Sequence, residues 1–453
     1  MPDCLPANGM AIKPRLNTFD LTMIVVSVVI GTGIFRTPVE IAQKAGQPSI
    51  FFAAWIAGAI ISLFGALTLA EVGSRYPAAG GFYKIFSHCY HPAFAFMVNW
   101  ISVIANAGSS ASVAIMGSEY ITPLLLPQLD PVIATRITTV AAVLVLYGIN
   151  LLGIKMGART LNVLMIIKIG MLLLLIGTMF VAAPPQHVAT PSALTGTDAL
   201  KAFWVCFVPI FFTYGGYHQT MNFGSDVPQA GRTIPRAIFI GMFIVLATYL
   251  LVNVAYVNVL GFEGLKHSPA LAAQMVAVIF GSGASLVVSV VMFLAVLAYV
   301  NASLLSNPRV YYAMAEEHVL PPAFKQVNAR TQTQELALSA YVAIILVFLF
   351  ALSSFQKILN YVMFFDSIGL IAACSAVFIL RRRARKSGEP TGIYKMKLYP
   401  WMPLVFIIGY ALVNISVMYF EPGTALVGFC LFIIGLPLYY LLQYVFGGRK
   451  QPV

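Results

Sequence analysis

The chain has 453 residues, 60% of them hydrophobic and only 9% charged, with a mean hydropathy of +0.87. Soluble domains carry about 25% charged residues, so the polar surface needed to cover them is missing and most water-soluble enzyme classes are excluded. A formal net charge of +12 would suit nucleic acid in a soluble chain, but here the placement of the charges argues otherwise.

A hydrocarbon crossing takes about 20 apolar residues. Apolar segments at 20–43, 50–74, 93–122, 131–153, 161–183, 200–225, 235–260, 280–316, 336–353, 356–380, 400–420 and 424–446 predict about 12 transmembrane helices in an all-α polytopic membrane protein. Lys13 and Arg15 flank the first segment and no small-residue cleavage site follows it, so it reads as a crossing and not a signal peptide. With the N-terminus inside, 20 of the 27 Lys and Arg residues fall on the cytoplasmic side. Lys44, Lys201, Lys266 and Lys357 fall outside, and Arg36, Arg136 and Lys168 within spans. The positive-inside rule then puts segments 1–19 and 447–453, and so both termini, in the cytoplasm, with the protein in the cell (inner) membrane. The run Arg381–Lys386 abuts a helix end and reads as an anchor on membrane lipid, not a nucleic-acid patch. The five cysteines are scattered, which predicts no metal centre or disulfide framework, and no cofactor motif is present.

A glycine cluster at mid-depth in a membrane helix needs a reason, because freed backbone groups cannot face lipid. Span one contains Ile30-Gly31-Thr32-Gly33-Ile34-Phe35 and then Pro38; span six contains Phe212-Thr213-Tyr214-Gly215-Gly216-Tyr217. The clusters lie five spans apart, an odd number, so they belong to segments running in opposite directions. Corresponding breaks in inverted halves point to a transporter's substrate site. The predicted units are repeat one at 20–183, repeat two at 200–380 and two added helices at 400–446.

The run Gly31-Thr32-Gly33-Ile34-Phe35 resembles the first-helix signature of the amino acid–polyamine–organocation superfamily. Ala70-Glu71-Val72-Gly73-Ser74-Arg75-Tyr76-Pro77, Thr233-Ile234-Pro235-Arg236, Val300-Asn301-Ala302-Ser303 and Tyr399-Pro400-Trp401 extend the likeness in order along the chain. The branch it resembles most is the L-type amino acid transporters and their bacterial relatives. The resemblance implies a LeuT-type 5+5 inverted repeat plus two C-terminal helices, and alternating access around an amino acid site. Human members of that branch pair with a glycoprotein through a cysteine after the third helix. The loop Leu124–Pro131 has none, so no covalent glycoprotein partner is expected.

An amino acid zwitterion needs donors for its carboxylate and acceptors for its ammonium. A half-helix starting after Thr32-Gly33-Ile34 offers unpaired N–H groups and positive dipole character. Carbonyls left open by the first-span break and around Phe212, Thr213 and Tyr214 offer acceptors. Gly31, Thr32, Gly33, Ile34, Phe212, Thr213, Gly215 and Gly216 are therefore the predicted substrate site, with Phe212 resembling the aromatic that closes over substrate in the branch. Lys168 lies about seven residues inside span five, where an unpaired ammonium costs several kcal/mol. By resemblance it replaces the sodium ion of coupled cousins, contacting the backbone near Gly31 and Ser303. Snorkelling to the interface is the alternative. Both a proton-coupled and an uncoupled mechanism stay open.

Arg36 departs from the branch pattern. It is expected to form an extracellular gate with Asp366 of span ten, as an arginine does in the neurotransmitter transporters of this fold; an i,i+4 pair with Glu40 and contact with an anionic substrate are the other readings. Glu71 and Asp226 lie near cytoplasmic helix ends, where inner-gate pairs with Arg75 or Arg232 are expected. Glu119 reads as an outer-surface group, His218 as a neutral, hydrogen-bonded histidine, and Tyr217, Asn222 and Asn301 as polar groups shaping the cavity. The expected activity is sodium-independent secondary transport of L-amino acids by exchange, facilitation or proton symport, with a polyamine or organic cation transporter of the same fold as the alternative. A channel, a receptor or a membrane enzyme lacks support: no catalytic constellation and no P-loop is present.

Overall fold

The computed structural model describes residues 12–31, 33–181, 194–268, 271–281, 285–351, 355–388, 392–420 and 422–446. Among these are seventeen α-helices and no named β-strand. They run α1 (Thr18–Val29), α2 (Gly33–Ala45), α3 (Pro48–Arg75), α4 (Gly81–Cys89), α5 (Pro92–Leu125), α6 (Pro131–Leu151), α7 (Ile154–Gly177), α8 (Gly196–Val205) and α9 (Phe207–Tyr214). There follow α10 (Ala230–Lys266), α11 (Leu271–Phe280), α12 (Ser285–Ser306), α13 (Pro308–Glu316), α14 (Glu335–Ala351), α15 (Phe355–Ser387), α16 (Trp401–Phe420) and α17 (Pro422–Phe446).

Local chemistry explains where these helices start. A capping box between Asn17 and Asp20 satisfies orphan N–H groups at the start of α1. Pro48, Pro92 and Pro131 open α3, α5 and α6, where a missing N–H costs nothing. Counting α1–α2 and α8–α9 with its continuation as single crossings, ten described units are long and apolar enough to span a membrane. The shorter apolar α14 and the 33-residue α15 fill the two remaining places in the predicted order of twelve. The outer surface is apolar, with Val145, Phe243, Val347 and Ile408 all more than half exposed, as a lipid-facing surface requires. This is a multi-pass membrane protein.

Two helix groups surround the centre. In one, α10 packs along α1, α2 and α3; in the other, α5 packs along α6, α12 and α14. α7 bridges them by touching α1, α10 and α12, while α15, α16 and α17 close the side of α3 and α5. The broken helices lie between these groups.

Candidate functional site

Span one breaks where the glycines stand. α1 ends at Val29, Ile30 leaves helical geometry at φ −78, ψ 78, and α2 begins at Gly33. Thr32 lies outside the described residues. The second break falls at Gly215, extended at φ −72, ψ 177, and Gly216, left-handed at φ 97. A 3-10 turn over Tyr217–Asn222 then continues the crossing. Only glycine takes φ 97 at no cost.

The two breaks meet. A Cβ on Gly33 would come 2.9 Å from the Thr213 Cγ2, and one on Gly216 would come 2.4 Å from the Val28 carbonyl oxygen. The Thr213 hydroxyl donates to the Thr37 hydroxyl at 3.0 Å, while Thr37 itself donates to the Gly33 carbonyl at 2.6 Å. Gly31 faces the Tyr299 ring, 3.4 Å from where its Cβ would stand. Gly31, Gly33, Ile34 and Thr213 are buried, whereas Phe212, Gly215 and Gly216 keep part of their surface accessible.

The carbonyls released at the first break are held from outside. Tyr249 OH donates to Val29 O at 2.9 Å, Lys168 Nζ to Ile30 O at 2.5 Å, and Tyr256 OH to Ile34 O at 3.3 Å. Lys168 is fully buried and does not reach an interface, so span five is tied directly to the break. The expected second contact is corrected: Ser303 does not bond Lys168. Its hydroxyl is engaged with Ser110 at 2.9 Å, Tyr341 at 2.6 Å and Asn307 Nδ2 at 3.0 Å. This buried cluster from α5, α12 and α14 offers closer partners than the lysine does. It continues through Asn106, which donates to Asn307 at 3.1 Å and accepts from Gln219 at 3.3 Å.

The expected gate pair of Arg36 with Asp366 is not formed in this structure. Arg36 is exposed on α2 and acts electrostatically on Glu119 and Tyr120 of α5. Asp366, half-buried on α15, instead acts on Tyr299 and Tyr410. The depths expected from the sequence do not bring the two together, because each faces different neighbours.

The opposite end of the molecule, which carries most of the basic residues, holds three buried ion pairs centred on two carboxylates. Glu71 is fully buried; it accepts from Arg75 at 2.7 Å, from Arg381 at 2.7 and 2.8 Å and from the Met396 N–H at 2.8 Å. Asp226 pairs bidentately with Arg309 at 2.7 and 2.8 Å, not with Arg232, which is exposed. Arg309 also donates to Leu305 O and lies over the Phe223 ring. The main chain at Asp226 accepts from the N–H groups of Arg15 and Leu16, so the chain before α1 is strapped across this face.

His218 is buried against Phe82, but its Nδ1 has no protein partner among the described residues; the expected hydrogen-bonded histidine is corrected at that atom. Asn301 joins Asn150 to the Gly157 carbonyl, and Asn222 joins Ser306; both bind helices together. Tyr249, Tyr256 and Tyr299 contact the first break, and hydropathy does not single them out. Tyr249 and Tyr256 do stand seven residues apart on one face of α10, a spacing visible in the sequence.

Against this geometry, the amino acid permease family matches residues 16–441 of the chain. The chain belongs to that family. It is similar to the serine/threonine exchanger SteT of Bacillus subtilis (strain 168), 29% identical over 441 residues, covering 96% of this chain and 97% of that protein. It is also similar to the human cystine/glutamate transporter, 26% identical over 440 residues, 95% and 85% of the two chains. A third relative is the large neutral amino acids transporter small subunit 2 of Mus musculus, 25% identical over 454 residues, 96% and 82%. The activity is therefore amino acid transport and not an enzymatic reaction, and the polyamine alternative is not favoured.

Proposed function

We propose that this permease carries L-amino acids by alternating access, without sodium, through a site formed where the two helix breaks touch. The observation carrying this reading is the contact of Gly33 with Thr213 and of Gly216 with Val28, which brings a half-helix N-terminus and freed carbonyls to one point at mid-membrane. The α2 N-terminus binds the carboxylate. Because Val29, Ile30 and Ile34 already accept hydrogen bonds, the ammonium uses Gly31 and the break around Phe212 and Thr213. Phe212, still partly accessible, covers the bound side chain.

Lys168 takes the place of sodium, linking α7 to the first break. Two five-span repeats, 20–183 and 200–380, supply the two breaks, with both termini in the cytoplasm of the cell membrane. The basic residues concentrated on the face of Arg75, Arg309 and Arg381 support that orientation. Exchange is the favoured mode, since the relative SteT is named an exchanger. No cysteine in Leu124–Pro131 supports function without a disulfide-linked partner.

Proteoliposome uptake of labelled serine, threonine, leucine and glutamate tests the proposal, with unlabelled amino acid inside and sodium or proton gradients imposed. Uptake should be stimulated by internal amino acid and indifferent to sodium. Lys168→Ala should lower uptake at least about tenfold, the equivalent of 1.4 kcal/mol. Sodium-dependent uptake, or full activity in Lys168→Ala, would refute the lysine's role.

A further inference from the structure

On the face away from the buried ion pairs, an apolar groove of about 940 Å³ runs between α8–α9 and α16. Leu200, Lys201 and Trp204 line it on one side and Ile408, Leu412 and Tyr419 on the other, with Phe211 at its floor. We propose that this groove is a binding site for one membrane phospholipid, an acyl chain filling it and the phosphate resting on Lys201.

Three observations carry the assignment. The groove's walls are membrane helices, so it opens toward hydrocarbon; Leu200, Trp204 and Ile408 are 57%, 44% and 57% exposed along it. Its length fits one leaflet: Val405 and Tyr419 both line it, and fourteen residues of helix rise about 21 Å, against roughly 20–22 Å for half a bilayer with its headgroups. Its polarity is graded as in a lipid. Lys201, Ser416, Trp204 and Tyr419 gather toward one end, where aromatic and cationic side chains meet headgroups, and Phe211, Val405 and Gly409 line the deeper end. Lys201 is 78% exposed and stands 3.8 Å from Asp198. That carboxylate disfavours a net anionic headgroup and favours phosphoethanolamine, whose ammonium it can meet.

The site touches the broken helix. Phe211 stacks flat on Tyr410 of α16 at 4.5 Å between ring centres, and it directly precedes Phe212 and Thr213. A chain in the groove therefore braces α9 against α16.

Trp204 lies in the groove and supplies the probe; Trp401, 69% exposed at the start of α16, supplies a reference outside it. The full chain is reconstituted in phosphatidylcholine vesicles containing increasing fractions of dibromostearoyl phosphatidylethanolamine. Each tryptophan's emission is taken by difference from W204F and W401F. Trp204 should be half-quenched at a mole fraction about threefold lower than Trp401, the mark of a site with preferential affinity. Leu412→Phe with Ile408→Phe, filling the groove, should bring the two curves together. Lys201→Gln, at an exposed position that does not threaten folding, should shift the Trp204 curve toward the reference. Superimposed wild-type curves, or a Trp204 preference that survives in the filled groove, would overturn the site; an unshifted Lys201→Gln curve would overturn the headgroup contact. The readout needs no amino acid, so its failure is distinct from failure of the transport reading.

Discussion

The two ends of the bundle are held by different kinds of ion pair. On the basic face, Asp226–Arg309 and Glu71–Arg381 join elements 83 and 310 residues apart in sequence, and all four side chains are at most 17% exposed. On the other face, Lys44–Glu40, Lys266–Glu263 and Lys201–Asp198 each stay within one helix at i,i+3 or i,i+4. Pairs of the first kind hold distant helices against one another by buried charge; on the second face the ties between elements are hydrogen bonds, such as Lys266 to the Gly46 carbonyl and Gln43 to the Lys266 carbonyl. The difference teaches how each face is tied: the basic face is joined by buried pairs between elements far apart in sequence, whereas the ion pairs of the other face are local to one helix.

The strongest way to break that comparison is to remove one buried partner. Asp226→Asn leaves Arg309 uncompensated among buried groups, a cost of roughly 3–5 kcal/mol. It should open the basic face, raising thiol-reagent labelling of a cysteine introduced at Ser306, and lower the thermal midpoint. Labelling no faster than in Ser306→Cys alone would remove Asp226 from the closure. A smaller effect is expected at Gly216→Ala, where φ 97 disfavours an L side chain by about 1–2 kcal/mol before the contact with Val28 O is counted. Uptake should fall while the helical content measured by circular dichroism persists. Smallest of all, Glu40→Gln removes a partly exposed i,i+4 pair, which should cost no more than about 0.5 kcal/mol; a thermal midpoint unchanged within error checks it, and a large drop would show that the two faces are not so different.

The sequence made some of this visible and hid the rest for a physical reason. Breaks were legible because paired glycines at mid-span leave backbone groups that hydrocarbon cannot satisfy, and Lys168 was legible because a buried ammonium must find an acceptor. Hydropathy gives depth along each helix but not direction around it. Arg36 and Asp366, expected at one height, face different neighbours, and Asp226 selects Arg309 over the nearer-in-sequence Arg232. Ser303 pointed to Lys168 by resemblance alone, because nothing in its own span reveals Ser110 and Tyr341, which come from α5 and α14. The tyrosines that hold Val29 O and Ile34 O are ordinary apolar-span residues until α10 is seen lying along the break.

Uptake by Gly33→Ala, alone and combined with Thr213→Ser, tests the contact between the two breaks most directly. The added methyl meets the Thr213 Cγ2 at 2.9 Å, and serine removes that carbon while keeping the hydroxyl. Gly33→Ala should lose most uptake and the double variant should regain part of it. Wild-type uptake in Gly33→Ala, or no recovery in a well-folded double variant, would contradict a substrate site built where spans one and six touch.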